Sequence, residues 1–139
     1  MSQYFQTGER VLWNPSNTPA QLFIRTAEAM VPIAELPTGI ESRIADEYDI
    51  DMTAFEAFVN TLVHRYQATT HLILRSLLEG FLATALVLVD RGGGRIPALD
   101  DQPTPHLEDV SVSRDGIAPQ GSTARLAALA AVHARAMPR

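Results

Sequence analysis

Three residues of one apolar run carry groups that could do chemistry: His71, Arg75 and Glu79, within HLILRSLLEGFLATALVLVD from His71 to Asp90. In a helix, residues four apart rise along one face. An imidazole, a guanidinium and a carboxylate therefore line up as a polar stripe, and Asp90 returns near the same face. Arg75 and Glu79 are spaced to pair. If the helix is buried they must be satisfied, because an unpaired buried charge is very costly. The plainer reading is a structural ion pair. The sharper one is a polar floor in an apolar pocket, where such groups bind a substrate or move a proton, and it makes His71, Arg75 and Glu79 the candidate catalytic residues.

A second set lies just upstream. Glu56, Asn60 and His64 recur at four-residue steps and would face the stripe across a helical hairpin. Two His and two Glu close together are the makings of an acid–base pair or a metal site. The spacing matches neither HExxH nor the Glu-x-x-His pair of di-iron bundles, so no metal or cofactor is assigned. Asn60 and His64 remain candidate ligand-binding residues, as do Trp13 and Asn14, which precede the turn cluster Pro15-Ser16-Asn17. The acids Asp46, Glu47, Asp49 and Asp51 lack the glycine and terminal Glu of a calcium loop. Gly92-Gly93-Gly94 follows a helix and has no lysine nearby, unlike a phosphate loop. There is no G-x-S-x-G elbow.

The elements that must position these groups can be read in order. Residues 3–13, QYFQTGERVLW, predict a hairpin or one bent strand around Thr7-Gly8. Ser16 or Asn17 caps a helix with Pro19 in its first turn and Leu22, Phe23, Ala27, Met30 and Val31 inward. Pro32 should kink or end it. Ile44, Tyr48 and Ile50 alternate as in one strand. Asp51 caps a second helix with Met52, Phe55, Phe58, Val59, Leu62, Val63 and Tyr66 on its apolar face. Thr69 or Thr70 caps the central helix, which packs antiparallel to the second across a short link. That central helix is apolar nearly all round, as buried helices and membrane spans are. Arg75 and Glu79 argue against a span, which needs about 20 apolar residues with few charges.

From these elements we expect an α+β domain: a small antiparallel sheet packed on a three-helix layer, with a C-terminal arm ending in a helix. The core occupies 1–91. The prolines at 97, 103, 105 and 119 and the acids at 100, 101, 108, 109 and 115 make 92–121 an extended arm. Val110 and Val112 would add a short strand there. Residues 122–139 form an Ala-rich helix that needs a surface to lie on, its own chain's or a neighbour's.

Composition removes several function classes. A net charge of −5 disfavours a basic nucleic-acid-binding field. Absent cysteine excludes disulfides and thiol catalysis. MSQYFQTGER lacks the basic-then-apolar pattern of a secretory leader, so the expected location is cytoplasmic, with no membrane partner. All eleven basic residues are arginine and alanine is abundant, the mark of a GC-rich genome.

Tyr4-Phe5, Leu12-Trp13-Asn14-Pro15-Ser16-Asn17, Leu36-Pro37-Thr38-Gly39-Ile40, Ala45-Asp46-Glu47 with Ile50-Asp51, and Glu79-Gly80-Phe81-Leu82-Ala83-Thr84 together resemble an uncharacterised family of small actinobacterial, Streptomyces-like proteins. The resemblance covers roughly the first two-thirds of the chain. It implies no particular activity. Two functional expectations follow from the residues themselves. One is an acidic, non-catalytic protein that binds a protein partner or a small apolar ligand, of an accessory or toxin-neutralising type, with the arm offering a route to a homodimer. The other is a small cofactor-free isomerase or cyclase that uses the stripe at 71, 75 and 79.

Overall fold

The computed structural model describes residues 2–100 and 122–139. The expected strand at Val110 and Val112, and most of the expected arm, lie outside these residues. Four strands and four helices form an α+β fold: β1 Tyr4–Thr7, β2 Arg10–Trp13, α1 Asn17–Ala34, β3 Ile40–Ser42, β4 Glu47–Ile50, α2 Met52–Ala68, α3 Leu72–Arg91 and α4 Thr123–Arg135. A 3-10 turn spans Pro97–Asp100.

The sheet order is β2-β1-β4-β3, and the two outer pairs are antiparallel hairpins. The central pair β1–β4 is parallel, so the sheet is mixed where an antiparallel one was expected. The cause is α1. One helix between β2 and β3 carries the chain back, so β3 runs with β2 and the hairpin partner β4 runs with β1. The single strand expected over 44–50 is also a hairpin. Ile44 sits in its loop, 91% exposed, beside Ala45 and Asp46 with positive φ of 64° and 62°. Tyr48 and Ile50 point inward as their alternation predicts.

In α1 the buried stripe is Ala20, Phe23, Ala27, Met30 and Ala34, at steps of three and four. Leu22 lies a helical step away from that stripe and is 66% exposed, against expectation. Pro32 falls in the last turn, and the helix stops at Ala34 before Glu35, whose φ is 56°. Asp51 caps α2 as predicted, accepting the Ala54 N–H at 3.2 Å.

A run of rings joins the layers. Phe5 stacks on Tyr48 and Trp13 at 5.0 and 5.1 Å between centroids; Phe23 meets Trp13 edge-on and stacks on Phe81, which meets Phe58 edge-on. α2 and α3 run antiparallel, as the expected hairpin requires. Of the described helices, α3 alone is long and apolar enough to cross a membrane, but half of that stretch is buried in the core. Burial is fullest from Leu78 to Val89; Leu72, Ile73 and Leu77 near its start are 38, 58 and 66% exposed.

Helix α4 lies along α3 on the same chain. Arg125 reaches Glu79, His133 reaches Thr84, and the carbonyls of Ala134 and Met137 meet Arg91. Both sets of numbers rise together, so the two helices are parallel. Leu126 is the buried anchor of α4.

Candidate functional site

Besides a hollow of about 690 Å³ against residues 94–100, two further hollows flank α4, and each takes walls from α3. The first is an open apolar groove of about 420 Å³ between α1, α3 and α4. Trp13, Phe23, Phe81 and Met137 form its inner wall, and Gly80 leaves its floor open, since a Cβ built there meets nothing within 4 Å. Leu22 on α1 and Val132 on α4, 66 and 50% exposed, make the two rims. The polar pair inside the groove is Thr84 with His133, Oγ1 to Nδ1 2.8 Å. Ile73 and Leu77 precede Gly80 on the same α3 face and extend the apolar strip beyond the groove.

The second hollow, about 280 Å³, is lined by Tyr66, Leu72, Arg75, Ser76, Glu79, Ser122 and Arg125. The Arg125 guanidinium grips Glu79 with both arms, Nε–Oε2 2.8 Å and Nη2–Oε1 2.9 Å. The fully buried Tyr66 donates its hydroxyl proton to Glu79 Oε2 at 2.7 Å. The bond from Arg125 holds the Glu79 carboxyl below its ordinary range against the opposing effect of burial, with help from Tyr66 and the charges of Arg125 and Arg75. Burial pushes the Tyr66 phenol up to about 12, assisted by the hydrogen bond to Glu79 and its negative charge.

All 139 residues of the chain match the family of unknown function DUF6086. The chain belongs to that family. No curated protein and no solved structure matches it.

Within this DUF6086 protein the residues singled out by sequence are dispersed. His71 is the N-cap of α3: its Nδ1 accepts the Leu74 N–H at 3.4 Å. Neither Thr69 nor Thr70, the expected caps, has that role; Thr69 instead accepts the His71 N–H at 3.0 Å and shapes the link. Arg75 and Glu79 do share a hollow, but the ion-pair partner of Glu79 is Arg125, delivered by α4, and not Arg75. Asn60 Oδ1 accepts the Ala98 N–H at 2.8 Å, while Gln67 Nε2 donates to the Ala98 carbonyl at 2.6 Å, so the 3-10 turn is clamped onto α2. His64 is exposed on the α2 flank. Trp13 borders the apolar groove. Asn14, next to it, donates its N–H to the Pro138 carbonyl at 2.7 Å, and its Oδ1 is buried without a partner among the described residues. Among those residues no three His, Asp or Glu converge on a point that could hold a metal.

The residues that sequence reasoning passed over are Tyr66, Arg125, Thr84 and His133. Tyr66 was read as part of an apolar face, and Arg125 and His133 lie 46 and 49 positions from their partners. One signal was present: Gly80, a glycine inside a long helix, where it costs about 1 kcal/mol against alanine and calls for a reason.

Proposed function

We propose that this protein is a non-catalytic binding protein that holds an apolar small molecule in the groove between α1, α3 and α4. One observation carries the reading: the groove has a ligand-sized volume, aromatic walls, apolar rims turned to solvent and few polar side chains, Thr26 and the Thr84–His133 pair. Pockets for small molecules have this composition. Large exposed apolar side chains gathered on one face also mark binding surfaces more often than chance exposure does.

The catalytic alternative is less well supported. An isomerase or cyclase built on Glu79 needs that carboxylate free to take a proton in an apolar cavity. Here it is ionised, clamped by Arg125 and Tyr66, and opens onto the polar hollow. Its arrangement suits fastening α4. The all-arginine, alanine-rich composition supports a GC-rich, actinobacterial source.

Trp13 is the only tryptophan in the chain and borders the groove, so it reports occupancy directly. Titration with dodecanol below its solubility limit should shift or quench its fluorescence saturably. Gly80→Leu, which places a side chain in the open space, should abolish the response while leaving the circular dichroism unchanged. An unsaturable response, or one that Gly80→Leu leaves intact, would rule out the groove as the site.

A further inference from the structure

The groove has a direction. Ile73, Leu77, Gly80 and Thr84 follow one another at steps of four, three and four along a single face of α3, an interval of about 16 Å at 1.5 Å per residue. The outer part of this strip offers only carbon: Ile73 and Leu77 are 58 and 66% exposed, and Leu22 and Val132 line the groove that follows at Gly80 and Thr84. The inner part ends at the Thr84–His133 pair, next to Trp13 and Met137.

That pair uses up one hydrogen bond and leaves another. If the Thr84 hydroxyl donates to His133 Nδ1, the proton of the neutral ring sits on Nε2 and remains to be given. If Nδ1–H donates to Thr84, the hydroxyl proton of Thr84 remains instead. In each neutral tautomer, and in the imidazolium, at least one donor is left over. No carboxylate borders the groove. A ligand that fills it gains most if its inner end carries a hydrogen-bond acceptor, because burying the left-over donor unpaired would cost about 1–3 kcal/mol.

Resting on the binding role given above, we infer that the ligand is an acyl chain: an extended hydrocarbon lying along the α3 strip, with its carbonyl or carboxylate accepting from the Thr84–His133 pair. A free acid and an ester share this chemistry, and the comparison between them identifies the source. An elongated molecule with a donor-only head could meet the remaining lone pair of Thr84 or His133 but would leave that donor unpaired, so it is disfavoured, even though a chain of net charge −5 would attract a cation non-specifically.

The test is a Trp13 fluorescence titration with dodecanoate, methyl dodecanoate and dodecylammonium, each below its micellar or solubility limit. Dodecanoate or its methyl ester should bind at least tenfold more tightly than dodecylammonium. A preference for the acid assigns a free carboxylate, and one for the ester assigns an esterified chain. The preference should shrink to less than threefold in Thr84→Val and in His133→Phe, with the hydrocarbon still bound. Two variants guard against one misfolding, and circular dichroism checks both. If all three compounds bind alike, or the ammonium binds best, the acyl assignment is wrong and the groove remains a general apolar site. If none of them perturbs Trp13 in the wild-type protein, both the acyl assignment and the binding role fall.

Discussion

Glu79 and Arg125, 46 residues apart, meet as carboxylate and guanidinium fork at 2.8 and 2.9 Å, and this pair fastens the start of α4 to α3. Because it meets Arg125, Glu79 lies beside the first turn of α4, whose positive N-terminal end a carboxylate stabilises. Tyr66, donating to the same Oε2 from beneath, fixes the carboxylate from the core side.

Glu79 therefore makes stability depend on acid. Its folded-state pKa is lowered from 4.5, so its contribution is full above 4.5 and is lost as pH falls through the lower folded value. Melting temperature should drop in that range, and Glu79→Gln should remove part of the slope while lowering stability at neutral pH. Thermal melts across pH with a far-UV signal check this. An unchanged acid slope in the variant would show that other carboxylates carry it.

Tyr66 behaves in the opposite sense. Its pKa is raised from 10.0 to about 12, so its effect on stability is flat below 10 and turns destabilising as pH rises from there to about 12. In a tyrosinate absorbance titration, one of the three tyrosines should ionise last, and Tyr66→Phe should remove that phase. The same substitution should cost about 1.5–3 kcal/mol in urea unfolding, the range for a hydrogen bond to a charged group.

Gln67 and Asn60 hold both polar groups of one residue, Ala98. Replacing the buried Gln67 by Leu strands the Ala98 carbonyl and should destabilise by about 1–3 kcal/mol. Asn60→Ala should do the same to the N–H. Both variants should show faster amide exchange at Ala98, Leu99 and Asp100 than anywhere in α2.

Gly39 and Gly80 respond to alanine with opposite signs. Gly39 has φ 78°, and a Cβ there would lie 2.8 Å from the Phe55 nitrogen, so Gly39→Ala should cost about 1–3 kcal/mol. Gly80 is helical with open space around it, and Gly80→Ala should stabilise by about 0.5–1 kcal/mol. Chemical denaturation of the two variants side by side decides the point.

Much of the fold was legible because it rests on local rules. Asp51 reads as a cap and is one; Pro32 ends α1 within a turn; Phe23, Phe55, Phe58 and Leu82 recur at helical spacing and are buried. What was misread depended on distance. Ile44 alternates with Tyr48 and Ile50 like a strand residue, but Ala45 and Asp46 reverse the chain, and only the pairing of 42 with 48 reveals it. The i, i+4 spacing of Arg75 and Glu79 suggested a partner that a helix from the other end of the chain supplied better.

The sequence by itself determined the α+β class, the helices and the Asp51 cap of α2, the aromatic core and the exclusion of thiol chemistry, because each follows from residue type and short-range periodicity. Tertiary structure alone decided the parallel seam between β1 and β4, the docking of α4 along α3, and the hollows that docking creates. Those features join residues tens of positions apart. Their energies come from shape and charge complementarity between finished elements, which no short-range spacing in the chain encodes.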